Sequence, residues 1–600
     1  MTEPLLTRWG RSLDPERVLQ EYPRPQLVRD SYLNLNGWWD HAITPAEEPA
    51  PTKYDGRILV PFSPEAALSG VGRQLQPDER LWYRRTLTVP KGFRPGDPHR
   101  VMLHFGAVDQ TARVLVNGTV VAEHTGGFLP FTADVTDALH EAENDLVVAV
   151  RDLSDTGHHA VGKQRLHRGG IWYTAQSGIW QTVWVECVPV PYVERLVLVP
   201  RLEAGALEVS VVSTGSTTPE GSEDLAEVVV RAGDAVVGRA TVPVGRSSTI
   251  PLSVVRPWTP DDPFLYDVEV TCGRDRVTSY AGLRSFGVGP DAAGVPRLLL
   301  NGEPFFHAGV LDQGYWSDGM LTAPSDEAMV HDIELMKRLG FTMLRKHLKV
   351  EPLRWYHHCD RLGMLVWQDA VNGGHHYRTA VVKGPAIGPL RLSDRWHALF
   401  GRSSTAGRAE FEVELRAMVE HLGNVVALAV WVPFNEGWGQ FDAARIAADV
   451  KTLDPTRSVD HASGWHDQRA GDLWSLHVYL HRIRVPTRRR GDRRALVLSE
   501  YGGYNLRVPG HVRSERDFGY RRFRSADALG TAFRRLHEEE LRLAVTRGLS
   551  ASVYTQLSDV EDELNGLVTY DREVLKLPAA LVREVLERLA GEPAIRADGR

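Results

Sequence analysis

Cysteine is scarce: Cys187, Cys272 and Cys359 are the only three in 600 residues. An odd number at wide spacing makes neither a disulfide framework nor a zinc pattern, so the thiols read as reduced and structural. No apolar run approaches the roughly 18 residues that span a bilayer. The opening Met1-Thr-Glu-Pro-Leu-Leu-Thr-Arg-Trp lacks a basic segment followed by an apolar one, so a cytoplasmic protein with no membrane role is expected. Excess charge of one sign is missing too. With 77 acidic and 70 basic side chains the formal charge is -7, which gives no global field toward nucleic acid or anionic lipid. Six hundred residues exceed one hydrophobic core, so several domains are expected.

What is present divides into three parts. Over the first 190 or so residues, short alternating or β-branched runs such as Leu81 to Val89, Val101 to Phe105 and Leu146 to Val150 are separated by turn residues, the pattern of a β-sandwich. Asn117-Gly118 between Val114-Leu-Val and Thr119-Val-Val predicts a tight hairpin. Trp172, Trp180 and Trp184 cluster near the end of this part and read as core. A second all-β stretch, residues 191–290, has the length of one immunoglobulin-like sandwich, interrupted by a Thr/Ser/Pro/Glu-rich loop from Ser213 to Asp224. From 291 onward helices and strands alternate. Ser325 can cap a helix carrying Met329, Ile333, Met336 and Leu339 at the 3.6-residue period, with Gly340 ending it. The same alternation recurs to Ser550–Tyr554. Repeated βα units over about 290 residues predict one (β/α)₈ TIM barrel, with a doubly wound sheet as the alternative.

Barrel chemistry belongs at the C-terminal ends of the strands. Two apolar runs stop there at a carboxylate: Val425 to Phe434 before Asn435-Glu436-Gly-Trp438, and Ala495 to Ser499 before Glu500-Tyr501. Either glutamate alone reads equally as a strand-end carboxylate paired to an arginine. Two facing one cavity are what glycosidic cleavage requires, because the leaving oxygen needs a proton while the oxocarbenium-like centre needs a nucleophile on the opposite face. Asn435 is placed to hydrogen-bond a sugar 2-hydroxyl, and Trp438 to offer an apolar platform. The pairs His158-His159, His357-His358 and His375-His376 have no Cys, Asp or Glu at ligand spacing, so no metal and no cofactor is expected.

Residues 30 to 590 resemble glycoside hydrolase family 2. The matching stretches are Leu81-Trp-Tyr-Arg-Arg, Ser177-Gly-Ile-Trp, Tyr280-Ala-Gly-Leu-Arg-Ser-Phe-Gly, Leu299-Leu-Asn-Gly-Glu-Pro, Asn435-Glu436 and Ser499-Glu500-Tyr-Gly. The resemblance implies a jelly-roll sugar-binding domain over 1–190, an immunoglobulin-like domain over 191–290 and a catalytic barrel over 291–600. It also implies that Glu436 is the acid/base and Glu500 the nucleophile of a retaining enzyme, with the carboxyl groups about 5 to 5.5 Å apart. Close like charges should then raise the pKa of Glu436, the group protonated before catalysis.

Further positions enter through the resemblance as substrate-binding residues. Arg345 corresponds to an arginine beside the nucleophile. His347 comes two residues after it where the family has three, which leaves its correspondence open. Tyr479 corresponds to a tyrosine that hydrogen-bonds the nucleophile, and His477 points the same way by strand alternation. Asp312 and Tyr315 come after the first strand, Asp369 and Asn372 after the third. The last strand lacks the family's usual tryptophan, so Tyr554 or Gln556 is expected in its place. The absence of any Asn-x-Lys tripeptide argues against a uronic acid. A terminal β-galactoside is favoured, ahead of a β-mannoside and then a β-glucuronide. The chain ends at Arg600, soon after the barrel, so the loops Asn372 to Ser393 and Arg482 to Arg494 are expected to shape the leaving-group subsite, although the basic run Arg484 to Arg494 reads as a solvated charge run. Transglycosylation and sugar binding on a degenerate scaffold are the rival activities. Family members commonly form dimers or tetramers, so a homo-oligomer is compatible.

Overall fold

The structure is a computed structural model that describes residues 4–90, 98–141, 143–214, 224–387 and 390–590. Most of the Ser213 to Asp224 loop, at 215–223, and the tail 591–600 lie outside the described residues.

The first part packs a six-stranded antiparallel sheet against a four-stranded one. Alternate residues of both fill the space between them, among them Leu81, Tyr83, Leu103, Val114, Val148 and Val185. The predicted hairpin joins Thr111–Val116 to Thr119–Thr125. Asn117 and Gly118 take φ +51° and +80°, the left-handed pair that such a two-residue turn needs. Of the three tryptophans, Trp180 is buried with its Nε1 donating to the Gly127 carbonyl, and Trp184 is buried and stacked on His104. Trp172 is only partly buried and packs on Trp438 of the third part. A second sandwich, of three and four strands, closes over Val209, Val211, Val228, Val230 and Val268.

The third part is a barrel of eight parallel strands: β1 (His307–Asp312), β2 (Met343–Lys346), β3 (Leu365–Asp369), β4 (Leu428–Val432), β5 (Ser458–Val459), β6 (Leu473–Val478), β7 (Ala495–Gly502) and β8 (Leu549–Thr555). They pair in the order β5-β4-β3-β2-β1-β8-β7-β6. That order is cyclic, which excludes the doubly wound alternative. The seam between β5 and β6 is bridged where the Asp472 N–H donates to the Val459 carbonyl at 2.8 Å. Every residue of β3, β4, β7 and β8 is buried. Strands enclosed on both faces need apolar residues throughout, which is why their sequences read as continuous runs rather than alternations.

The helix predicted after Ser325 spans Asp326–Arg338. Ser325 Oγ accepts from the Ala328 N–H, and Gly340 takes φ +93° after the last turn. The strand within the apolar run that starts at Val425 is shorter than the run: β4 begins at Leu428. The helical stretch from Ala526 to Thr546 contains a π turn at Leu536–Leu541.

Candidate active site

Glu436 lies just past β4, with φ +49°. A side chain in the left-handed region costs of order 1–3 kcal/mol and persists only where its surroundings hold it. Here the Glu436 N–H donates to the Ser463 carbonyl, and Gly437 comes next at φ +75°. Glu500 lies within β7, opposite His477 of β6 in the strand register. His477 joins the two: its Nδ1 is 2.7 Å from Glu436 Oε1 and 3.7 Å from Glu500 Oε2, while its Nε2 hydrogen-bonds Ser463 Oγ at 3.1 Å. One oxygen of each glutamate and the His477 nitrogen lie within 4.8 Å of one another.

The two carboxylates have opposite surroundings. Arg345 at the end of β2 is fully buried, donates to Glu500 Oε1 at 3.0 Å, and is gripped from the far side by both oxygens of Asp369. Its Nη2 also donates to Asn435 Oδ1 at 2.8 Å. The Tyr479 hydroxyl donates to Glu500 Oε2. Burial alone would raise the Glu500 pKa, but the imidazole of His477, the permanent charge of Arg345 and the Tyr479 hydrogen bond carry it below the ordinary carboxylate value. Glu436 pairs with no arginine or lysine among the described residues. Burial raises its pKa, the charge of Glu500 adds to that, and the His477 hydrogen bond opposes it without reversing it.

Asn435 is buried, and its Nδ2 has no partner. A buried donor left open beside two carboxylates is an energetic cost that an incoming hydroxyl removes. His347 hydrogen-bonds Asp369 through Nδ1 at 2.6 Å, and burial together with the nearby Lys163 charge holds its pKa well below the ordinary value. Trp438 joins Trp172 and Tyr377 in an aromatic cluster, with ring centroids 5.1 and 6.5 Å away.

Other expected residues are engaged elsewhere. Asp312 accepts from Lys346 Nζ and from the Gly314 N–H, as part of a buried network with Glu351 and Lys349. Tyr315 packs edge-on against Tyr173. The Asn372 amide donates to the Tyr377 hydroxyl and leaves its oxygen unpaired. Gln556 is fully buried and accepts from Gln313, with its own Nε2 unpaired. Tyr554 corrects the expectation. It packs among Tyr501, Phe533 and His537 on the helix side of the barrel, because strand alternation turns its neighbour Thr555 inward, where Thr555 Oγ1 lies 3.2 Å from the Tyr479 hydroxyl.

A second correction concerns His158-His159. The fold brings Glu410, some 250 residues away, to within 2.6 Å of His159 and 3.4 Å of His158, so the pair does have a carboxylate companion. These three residues, like Glu436, His477 and Glu500, form a donor set able to hold a metal ion. The hydrogen bond that His159 donates to Glu410 raises the His159 pKa, as an ion pair does.

Sequence reasoning missed the first sandwich's share of the site. The loop after Ala160 crosses to the barrel mouth: Tyr173 donates to Glu563, Thr174 to Glu561, and Trp172 packs on Trp438. Lys163 is buried, with its ammonium 5.4 Å from the Tyr173 ring, 5.9 Å from the Trp438 ring and 3.8 Å from Glu563. Tyr520, also missed, stacks on Tyr479 at 3.8 Å. No local signal marks these residues, since each is defined only by what it meets across the fold.

Residues 295–587 match the model of the glycosyl hydrolases family 2 TIM barrel domain, and residues 69–178 that of the glycosyl hydrolase 2 galactose-binding domain-like family. A β-galactosidase of Thermoanaerobacter pseudethanolicus is 25% identical over 317 residues, 49% of this chain and 40% of that protein. A putative β-glucuronidase of Formosa agariphila is 24% identical over 299 residues, 48% of this chain and 34% of that protein. The chain thus spans well under two thirds of these relatives. The solved β-D-glucuronidase of Dictyoglomus thermophilum superposes with a TM-score of 0.71, covering 95% of this chain and 99% of that one at 17% identity, a likeness of fold.

Proposed function

The chain belongs to glycoside hydrolase family 2, and from that premise we propose that it is a retaining β-glycosidase acting by double displacement at Glu436 and Glu500. The observation that carries this reading is the pair itself: two buried carboxylates with oxygens within 4.8 Å, one held below and the other above the ordinary pKa. That separation suits attack by one carboxylate directly on the anomeric carbon, whereas inverting enzymes need room for a water, about 6.5 Å or more. In this reading ionised Glu500 attacks while protonated Glu436 donates to the departing oxygen. Glu436, now a carboxylate, then takes a proton from the water that releases the sugar. Arg345 keeps Glu500 ionised, Asp369 orients Arg345 and His347, and Asn435 Nδ2 donates to the sugar 2-hydroxyl oxygen. Neither step calls for a metal or other cofactor.

A terminal β-galactoside remains the favoured substrate on the missing Asn-x-Lys tripeptide. A β-glucuronide is the second reading, supported by the buried Lys163 ammonium beside Trp438, which hydrogen-bonds no described residue and whose ion pair with Glu563 is long, at 3.8 Å, leaving donors for a sugar carboxylate. Residues 1–190, 191–290 and 291–600 are read as jelly-roll, immunoglobulin-like and catalytic units. The three cysteines sit in three separate cores and cannot pair, which suits a cytoplasmic protein. No helix among the described residues is long and apolar enough to cross a membrane.

Initial rates on nitrophenyl β-galactoside, β-glucoside, β-mannoside, β-fucoside and β-glucuronide, with Glu500→Gln as blank, test the proposal. Turnover of one sugar that disappears in the variant is expected. Turnover that survives the substitution refutes the nucleophile.

A further inference from the structure

The run Arg484 to Arg494 reads in sequence as solvated charge, yet the fold gives it a cavity. A space of about 660 Å³ opens beside the carboxylate pair, lined at its inner end by His477, Tyr479 and Tyr520. His477 hydrogen-bonds Glu436 and Tyr479 hydrogen-bonds Glu500, so the cavity adjoins the partners of both carboxylates, and in an enzyme that removes a terminal sugar any further saccharide unit lies on the leaving-group side. Six arginines and two aspartates line it, an excess of four positive charges in a chain whose formal charge is -7. Both aspartates are already committed, Asp467 and Asp492 pairing with Arg494 at 2.7 and 2.9 Å.

Arg391, Arg469, Arg482, Arg484 and Arg489 make no ion pair with any described residue. They come from three separate segments and converge, whereas a solvated run disperses its charges. Burial, and then the guanidinium groups of Arg469, Arg489 and Arg494, lower the Arg391 pKa against the opposing pull of Asp467. Like charges gathered without counter-ions raise the local potential, which an anion relieves, and guanidinium forks match carboxylate and sulfate oxygens two at a time. The same walls carry apolar surface: Trp465 and Trp474, with Leu390 and Leu480 40% and 58% exposed. Such surface suits the flat face of a sugar ring.

We propose that this cavity binds an anionic saccharide unit, carrying carboxylate or sulfate, on the leaving-group side of the scissile bond. The proposal rests on the retaining-glycosidase reading for its orientation. Calorimetric titration of full-length Glu500→Gln with three probes of equal length tests it: an oligogalacturonate, a sulfated galacto-oligosaccharide and an unsubstituted galacto-oligosaccharide. One anionic probe is expected to bind at least tenfold more tightly than the neutral one in dilute buffer, and the winning probe distinguishes carboxylate from sulfate. Salt should shrink the preference, since charges this exposed are screened within about 8 Å at physiological ionic strength. Adding Arg391→Ser and Arg489→Ser should abolish it. Anionic and neutral probes binding within threefold of each other, or a preference that survives both serine substitutions, overturns the proposal. Wild-type turnover of the nitrophenyl glycoside panel, the glucuronide included, is measured in parallel. Turnover without anion preference overturns the cavity assignment alone; anion preference without turnover refutes the glycosidase reading and leaves the anion site standing.

Discussion

Replacing Asn435 with alanine tests the site at its most specific point. The Asn435 side chain is buried, its oxygen is occupied by Arg345, and its Nδ2 is an open donor. Leaving a buried donor unpaired costs roughly 1–3 kcal/mol, so pairing it with the 2-hydroxyl in the transition state should contribute about that much. At 1.36 kcal/mol per factor of ten, Asn435→Ala should lower kcat/KM by about 5- to 150-fold. The substitution also removes the oxygen that receives Arg345, and that loss has to be separated. A double-mutant cycle does so, with each enzyme assayed on a nitrophenyl β-glycoside and on its 2-deoxy counterpart. The Arg345 contribution is common to both substrates and cancels. The 2-hydroxyl contribution is not, so the penalty on the 2-deoxy substrate should fall to a few-fold. An equal penalty on both substrates would show that Asn435 serves only to hold Arg345.

The pH dependence of kcat/KM should be bell-shaped. Activity requires Glu500 ionised and Glu436 protonated, so the acid limb tracks the depressed carboxyl and the alkaline limb the raised one, both as macroscopic values of the coupled pair. Glu436→Gln should remove the alkaline limb and cost far less on nitrophenyl leaving groups than on alkyl glycosides; an alkaline limb that persists would transfer the acid role to another group. If Lys163 reads a sugar carboxylate, Lys163→Met should raise KM at least tenfold for the glucuronide and only slightly for neutral glycosides, and equal changes would refute that role. Glu351→Ala strips Lys349 of its one carboxylate and should destabilise the protein by about 3–5 kcal/mol, because a buried charge is left without its partner. Denaturant melts monitored by tryptophan fluorescence would read this, and a loss under about 1 kcal/mol would mean that the Gly314 and Leu321 carbonyls suffice.

The sequence by itself determined whatever is written in neighbouring residues. The runs ending at Glu436 and Glu500 are unbroken because their strands are enclosed on both faces, and barrel geometry then places the residues at their C-terminal ends at the mouth. Ser325 and Gly340 marked the ends of a helix, and Asn117-Gly118 a hairpin, because caps and tight turns are local backbone requirements. Tyr554 went wrong because the side of a buried strand that a residue faces leaves no mark when every position is apolar or aromatic. Only the tertiary structure decided which distant groups meet. Barrel closure set His477 between two glutamates from other strands. Docking of the first sandwich brought Lys163 to Trp438, and a helix of the barrel delivered Glu410 to His158-His159. The basic loop became a cavity wall because Arg391 and Arg469 face it from other parts of the chain. Long-range electrostatics depends on distances in space, and those are fixed by packing rather than by spacing along the chain.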